Sequence, residues 1–442
     1  MSPVPEPPAG ERPLTSAHDP NAALRHPFVR RFAAGRIAAV ISAQVISLAV
    51  GWELYERTHD PWSLGLVGIL ELVPVLVLMF PAGIAADRFP RCNVAMFAHA
   101  ILTFAAIGLM VASWRAAPVS LIYGMLVLVG TARAFSSPSV ATIMPQLLQP
   151  EQLANANAWL SSSYELASIT GPAIGGAVIA ITSGAMWAYG LAAVGQIVFI
   201  AMLATLPAKA PPPADHHASA RDIFAGVRFI RRNPVYLAAI TLDLFAVLLG
   251  GAVALLPIFA KDILHVGPAG LGVLRAAPSV GALLMALVAT RLPPWQQPGK
   301  VLLGVVAGFG LATIGFGLST SLALSLVCLF FTGVFDAVSV VIRLTLEQVI
   351  TPDYLRGRVS AVNFVFIGFS NEFGTFESGA TAALFGPVAS VVGGGVGTLL
   401  VVGAVVAAWP QLARIGALHT LRPDEAREAT HGAVREAARM PD

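Results

Sequence analysis

Charged side chains inside long apolar segments are the residues of this sequence whose types and positions could do chemistry. An isolated charge in a membrane costs ~2.5–3.5 kcal/mol on insertion scales, so such a residue usually faces a cavity or a partner. Apolar surroundings favour a protonated carboxyl group, whereas a nearby arginine favours its charged form. Arg133 and Glu71 are therefore predicted to couple to protons, with Asp336 as a further candidate. The full set is Glu53, Glu71, Arg133, Glu165, Asp243, Arg275, Asp336, Arg343, Glu347, Glu372 and Glu377.

One pair in this set has a simpler interpretation. Arg343 and Glu347 are four residues apart near the end of an apolar segment. Side chains at this spacing are neighbours on a helix surface, so the sequence predicts a local ion pair at the membrane interface.

The segments that hold these charges indicate a multi-pass membrane protein. Of 442 residues, 56% are hydrophobic and 12% are charged, which is about half the charged share of a soluble domain. Short polar or Gly/Pro-containing stretches separate twelve segments, each long enough to span a bilayer. Their approximate bounds are 33–55, 64–86, 93–113, 118–145, 157–182, 185–206, 236–260, 269–290, 301–319, 321–349, 359–384 and 387–409.

The longest polar interruption lies between the sixth and seventh segments. Its first part is rich in proline and reads as a flexible linker. From Ser219 and Asp222, at capping-box spacing, the pattern predicts an amphipathic helix on the membrane surface. The predicted organisation is a tail over 1–31, a first bundle over 32–206, a linker over 207–235, a second bundle over 236–410 and a tail over 411–442.

Basic residues predict the orientation of the chain. With both termini in the cytoplasm, twenty-one lysines and arginines lie inside and only Arg57, Arg115 and Lys261 lie outside. An excess of this size follows the positive-inside rule, so we expect an even number of spans with both ends cytoplasmic.

An internal repeat divides the twelve segments into two sets of six. "GILELVP", from Gly68, matches "GVLRAAP", from Gly272, at an offset of 204. "QLLQPEQL", from Gln146, matches "QVITPDYL", from Gln348, at an offset of 202. Each match occupies the corresponding place in its half, which favours a duplicated six-helix unit.

Together with this layout, the stretch "GIAADRFPR" resembles the signature of the major facilitator superfamily between the second and third spans. Gly83, Asp87, Arg88 and Arg91 are in register with that pattern, and Pro90 stands where the family usually has glycine. The resemblance covers about residues 30–410. It implies an all-α membrane protein of twelve transmembrane helices in two pseudo-symmetric six-helix bundles. Asp87 and the arginines would then form a conformational latch at the cytoplasmic rim.

The same resemblance places the fifth and eighth spans opposite each other between the halves. Glu165 is about 12 Å from the cytoplasmic end of its span and Arg275 about 9 Å from the outer end of its own. In a hydrocarbon core ~30 Å thick the two side chains can approach each other. We therefore predict an ion pair between the halves that forms in one conformational state and breaks in the other.

Further stretches resemble exporters of this superfamily. "GPAIGG", with Gly171, Pro172, Gly175 and Gly176, is similar to a motif of proton-driven antiporters. "TPDYLRGRVSAVNFVFIGFSNEFG" and "VGWELYERT" resemble the bacterial branch of enterobactin exporters and macrolide-type efflux proteins. The resemblance implies a multi-pass protein of the bacterial cytoplasmic membrane that exports a small amphipathic molecule, a siderophore, macrolide or drug-like compound, in exchange for protons.

Other classes of protein fit the sequence less well. The histidines are scattered, so we expect neither an enzyme nor a metal site, and without a P-loop motif we expect no ATP-driven pump. We expect no cofactor and no nucleic-acid partner. An importer of a nutrient on the same fold and a non-transporting sensor remain alternatives, and the sequence leaves the oligomeric state open, although a monomer fits.

Overall fold

The computed structural model describes residues 23–207, 220–293 and 295–416. Within these ranges the chain is helical and contains no β-strand. Both predicted tails lie largely outside the described residues, as do the proline-rich part of the linker and Ser219 of the capping box.

Fifteen α-helices follow one another along the described chain, and proline occupies the first turn of many of them, where its missing N–H costs nothing. They are α1 (Pro27–Thr58), α2 (Pro61–Arg88), α3 (Arg91–Trp114), α4 (Val119–Leu147), α5 (Pro150–Thr182), α6 (Met186–Ala204), α7 (Ala220–Arg232), α8 (Pro234–Leu249), α9 (Ala252–Ile258), α10 (Gly267–Ala289), α11 (Pro298–Leu318), α12 (Leu322–Ile350), α13 (Asp353–Phe385), α14 (Pro387–Ala408) and α15 (Pro410–Ala413).

Each predicted span corresponds to a helix or, for the seventh, to a broken helix. Eleven spans of the described chain are long and apolar enough to cross a membrane. The remaining long helix, α13, has 33 residues but carries polar side chains such as Asn363, Asn371 and Glu372 along its length. Its composition is that of a helix that faces protein and a polar cavity rather than lipid.

Two bundles share the helices between them. In the first bundle α1 packs against α5 and α6, α2 against α4, and α3 against α4 and α6. In the second, α10 packs against α12, α11 against α12 and α14, and α8 against α13 and α14. The pairs α2–α13 and α5–α10 make the main contacts between the bundles. The predicted twelve-helix, two-bundle fold is therefore confirmed.

The two ends of the molecule differ in how the bundles meet. At one end, which carries the α1–α2 turn at 59–60, a single buried apolar cluster includes Leu54 of the first bundle and Leu256 of the second. At the other end, which carries the α2–α3 turn at 89–90, each bundle has a core of its own, around Phe32 and around Ile342. We call these the closed end and the open end.

Glycines allow the backbones to touch at the closed end. A Cβ atom on Gly68 of α2 would lie 2.2 Å from the carbonyl oxygen of Glu372 in α13, and one on Gly176 of α5 would lie 2.5 Å from that of Pro268 in α10. Toward the open end, Gly83 of α2 and Gly368 of α13 have nothing within 4 Å of the same position. The bundles are thus in contact at the closed end and separated at the open end.

The seventh span departs from the prediction of one continuous helix. It breaks at Gly250 and Gly251, whose Cβ atoms would collide with Phe309 at 2.5 Å and with Ser378 at 2.3 Å. Two adjacent glycines weaken a helix and allow close packing, which explains the break. After α9 the chain continues as a π-helical turn, Phe259–Ile263, that brings Lys261 and Asp262 to the closed end.

The amphipathic linker helix forms, but its apolar face does not lie against lipid as predicted. Ile230 of α7 is buried in a cluster with Tyr236 of α8 and Val359 of α13. A Cβ atom on Gly226 would lie 2.7 Å from the carbonyl oxygen of Arg358, so the helix docks tightly on the second bundle. The bundle offers an apolar groove that sequence periodicity alone does not reveal.

The predicted ion pair between Arg343 and Glu347 is wrong. Arg343 instead donates to Asp243 of α8 at 2.5 Å, and both side chains are almost fully buried. Glu347 accepts hydrogen bonds from Tyr236 at 2.8 Å and from Asn363 at 3.0 Å. Both residues point into the bundle, where neighbouring helices offer better partners than the next turn of the same helix.

The glycine contact between α2 and α13 generates a prediction. Gly68→Ala should lower the free energy of unfolding by about 1–3 kcal/mol, because the new methyl group must push the two backbones apart. Gly124→Ala in α4 is the matched control, since nothing lies within 4 Å of its Cβ position. Titration of each purified variant in mixed micelles with a denaturing detergent measures its free energy of unfolding. A Gly68→Ala variant as stable as the control would contradict the contact.

The buried ion pair generates another prediction. Asp243→Asn should destabilise the protein by about 3–5 kcal/mol, because Arg343 would remain charged and buried without a partner. The double change Asp243→Asn with Arg343→Met should recover much of this loss. Glu56→Gln, which breaks an exposed pair with Lys261, should cost about 0–1 kcal/mol. The same titration applies, with Arg343→Met measured as a single variant as well. If the losses of Asp243→Asn and Arg343→Met simply add in the double variant, the pairing is refuted.

Candidate transport site

Arg133 occupies the middle of α4 and contacts two carboxylates. It donates to Glu71 of α2 and, at 2.9 Å, to Glu372 of α13. Gly130 lies one turn earlier on α4, and its Cβ would be 2.4 Å from the carbonyl oxygen of Glu71, so the absence of a side chain there brings the two helices together. The structure therefore brings Arg133 and Glu71, which the sequence analysis paired, into direct contact.

Glu372 is the member of this site whose role sequence reasoning missed. It was one of the charges in apolar segments, but nothing in the sequence assigned it a partner. Its helix, α13, belongs to the second bundle, so its bond with Arg133 crosses the interface between the bundles. The polar composition of α13 was the available signal, because a span of this kind faces a cavity.

Arg275 of α10 completes the group, which we call the central charge cluster: Glu71, Arg133, Glu372 and Arg275. The guanidinium of Arg275 donates to the Ser47 hydroxyl of α1 at 2.6 Å and interacts electrostatically with Glu71 and Glu372. Three helices of the first bundle and two of the second thus meet through charged and polar groups. About half of the Arg133 side chain is exposed, so the cluster borders open space between the bundles.

The structure does not bring Glu165 and Arg275 together. The electrostatic neighbour of Glu165 is Asp336 of α12, whereas Arg275 turns toward Ser47 and the two glutamates. The proposed ion pair is absent from this conformation and stays a prediction for a state in which the open end closes.

Asp336 lies in the middle of α12, as Arg133 does in α4. The offset of 203 between them falls between the two offsets of the sequence repeat, so the two residues occupy corresponding positions with opposite charge. Asp336 borders a cavity with Asp243, Ser339, Phe309 and Phe335. No hydrogen bond or ion pair within the described residues engages its carboxylate.

The predicted latch residues lie at the open end. Asp87 is half-buried at the end of α2 and Arg88 is exposed. Within the described ranges Asp87 makes no ion pair or hydrogen bond, and the buried Nε atom of Arg91 has no partner. A latch between the bundles is not engaged here, and its role in another state stays a prediction.

The glycines of the antiporter-like motif pack helices against each other. The Cβ position of Gly171 lies 2.7 Å from Gln44 of α1, and that of Gly175 lies 3.4 Å from Val45 of the same helix. Gly176 faces the other way and touches Gly272 of α10 across the interface. Pro172 lies within α5, and its carbonyl oxygen would be 2.5 Å from a Cβ atom on Gly272 of α10. The motif thus joins α1, α5 and α10, and its part in proton exchange stays a prediction.

Polar contacts also link the bundles at the closed end, and sequence reasoning missed them. The Tyr55 hydroxyl donates to Asp262. Lys261 donates to Glu56 at 2.7 Å and lies 5.9 Å from the centre of the Tyr55 ring. The π-helical turn, which the sequence did not predict, places both residues of the second bundle.

Comparisons with known proteins agree with this architecture. Residues 18–427 match the family model described as transmembrane secretion effector, within the major facilitator superfamily. The enterobactin exporter EntS of Escherichia coli O1:K1 is 30% identical over 377 residues, which cover 85% of this chain and 90% of that protein. The EntS sequence of Shigella boydii serotype 18 gives the same values.

Solved structures share the fold at low identity. The nucleoside transporter NupG has a TM-score of 0.68 at 14% identity, over 86% of this chain and 99% of its own. An inward-facing bacterial homologue of the lysosomal transporter Spinster has a TM-score of 0.66 at 15% identity, over 88% and 96%. With the family model matched over nearly the whole length, the chain belongs to the transmembrane secretion effector family of major facilitator transporters.

Proposed function

We propose that this protein exports a small amphipathic molecule, a siderophore, macrolide or other drug-like compound, across the bacterial cytoplasmic membrane in exchange for protons. The observation that carries the proposal is the bond between Arg133 and two carboxylates that come from different bundles. Similarity to exporters supports the direction of transport.

The distribution of basic residues supports the sidedness. The open end carries Arg88, Arg91, Arg228, Arg231 and Arg356, whereas the closed end carries Arg57, Arg115 and Lys261. By the positive-inside rule the open end faces the cytoplasm, together with both termini. The conformation is then ready to admit a substrate from the cytoplasm.

The central charge cluster supports an exchange of protons for substrate. While both glutamates are charged, Arg133 joins α2 and α4 of the first bundle to α13 of the second. A proton on either carboxylate removes one negative charge from the cluster and weakens that bond. The bundles can then rock about the cluster, which opens the closed end and closes the open end, in an alternating-access cycle.

Transport in proteoliposomes tests this proposal. We expect an imposed pH gradient to drive export of at least one member of a panel of siderophores, macrolides and lipophilic cations. Arg133→Ala should reduce gradient-driven export at least about tenfold, because the bond between the bundles is lost and the two glutamates repel each other. Arg115→Ala, at an exposed position of the closed end, is the matched control and should transport normally.

Two outcomes would contradict the proposal. Export at the same rate with and without the gradient would exclude proton exchange. Gradient-driven accumulation of a nutrient, with no export of any panel member, would favour an importer on the same fold.

A further inference from the structure

The arginines of α7 form a charged surface that the transport site does not use. Arg228, Arg231 and Arg232 are exposed, and we call these three side chains the basic face. None of them makes a hydrogen bond or an ion pair with another residue of the described chain. The sequence from Gly226 to Leu242 contains no aspartate or glutamate, so neither α7 nor the start of the next span balances this charge.

The docking of α7 on the second bundle determines where the basic face points. A Cβ atom on Gly226 would lie 2.7 Å from the carbonyl oxygen of Arg358, and Ile230 is buried. Successive residues of a helix are about 100° apart around its axis, so Arg228 lies about 200° from Gly226. Arg232 has the same angular relation to Ile230. The docked side of α7 is thus apolar and tightly packed, and the basic face points away from the protein.

Two neighbours of α7 place it at the boundary of the membrane. The seventh span begins at Pro234, two residues after Arg232, and two residues of chain reach at most about 7 Å. Arg358, which Gly226 touches, directly precedes the predicted span that starts at residue 359. The interfacial layer between hydrocarbon and water is about 5–8 Å thick on each side of a bilayer. The basic face therefore lies at the level of the lipid headgroups.

The chemistry of the basic face fits phosphate groups. All three residues are arginines, whose planar guanidinium groups pair with two phosphate oxygens at once. Spacings of three and four residues make Arg228 a neighbour of both Arg231 and Arg232 on the helix surface, so the three can converge on adjoining headgroups. The chain itself offers little opposite charge nearby. Lys209 and Asp215 cancel over 208–219, and 417–442 carry four arginines and five acids.

We propose that the basic face of α7 is a binding site for the headgroups of anionic phospholipids. The inference goes beyond the proposed function and takes from it only the cytoplasmic location of the open end, where anionic lipids give the membrane surface a negative potential. Because α7 packs on α8 and α13, lipids bound there attach the rim of the second bundle to the membrane surface.

Native mass spectrometry of the full chain, released from neutral detergent micelles with added lipid, tests the inference. Dioleoylphosphatidylglycerol and dioleoylphosphatidylcholine are the probes, because they share their acyl chains and differ in headgroup charge. We expect the first phosphatidylglycerol molecule to bind at least about tenfold more tightly than the first phosphatidylcholine. The physical reason is that each arginine near an anionic surface strengthens binding by about fivefold, the factor that about 1 kcal/mol gives.

Variants assign the preference to the basic face. The double change Arg228→Gln with Arg232→Gln should weaken phosphatidylglycerol binding at least about tenfold and leave phosphatidylcholine binding unchanged. Arg30→Gln with Arg31→Gln is the matched control, because it removes the same charge from exposed positions of α1 at the same end of the molecule. It should change the affinity of the tightest site by less than about twofold. Thermal unfolding of each variant shows that it is folded.

Equal affinity for the two lipids, or an equal loss of affinity in the two double variants, would overturn the inference, since either result means that α7 contributes no more than general charge. Glycerol 3-phosphate carries the phosphate without acyl chains, and we expect it not to displace the bound lipid. Displacement would show that free phosphate compounds, rather than lipids, are the ligands.

The binding measurement needs neither a gradient nor a transported compound. Tight and α7-dependent lipid binding without gradient-driven export would count against proton exchange and leave the inference standing. Gradient-driven export by a protein that binds the two lipids equally would do the reverse.

Discussion

The bond between Arg133 and the carboxylates of Glu71 and Glu372 is the interaction on which the rest of this structure depends. It lies in the middle of the spans, and it joins helices α2 and α4 of one bundle to α13 of the other. A charge at that depth in a membrane is costly unless a partner or water stabilises it, so the three side chains depend on one another. The helices must therefore hold the three side chains in register.

Packing at the closed end provides that register. Glycines such as Gly68 and Gly176 bring the backbones of α2 and α13, and of α5 and α10, into direct contact. Beyond these crossings toward the open end the helices separate, and each bundle has its own apolar core. Van der Waals packing of small residues is the main source of helix association in a membrane, so the contacts define a fulcrum next to the charge cluster.

The sequence repeat also shows how the two bundles differ in their buried charged residues. Glu71 and Arg133 in the first bundle correspond to Arg275 and Asp336 in the second, with the charges exchanged. The first pair forms a bond, whereas Arg275 donates to Ser47 of the first bundle. Among the described residues Asp336 makes no hydrogen bond or ion pair, although Arg343 attracts it electrostatically. The duplicated scaffold thus carries a bonded pair in the first bundle and, among the described residues, a carboxylate without an ion pair at the corresponding position of the second bundle.

Much of this could be predicted from the sequence, because apolar length, basic bias and the repeat are properties of single segments. The twelve spans are of this kind, and Arg133 and Glu71 could be selected because each is a charged residue inside an apolar segment. The partners of Glu372 and Arg343 were not predictable, because each lies on a helix remote in the chain and many charged residues were available. The break at Gly250 and the docking of α7 depend on how a neighbouring helix fills space, which no local pattern encodes.

The most direct test of the account is the distance between spin labels at each end of the protein, measured by double electron–electron resonance. Ile84 and Tyr354 are exposed positions on opposite bundles at the open end, and Arg115 and Leu384 are exposed positions on opposite bundles at the closed end. We expect lower pH to shorten the first distance and lengthen the second together, and we expect Arg133→Ala to abolish this response. Distances that change independently, or an unchanged response in Arg133→Ala, would contradict the claim that the cluster couples the two ends.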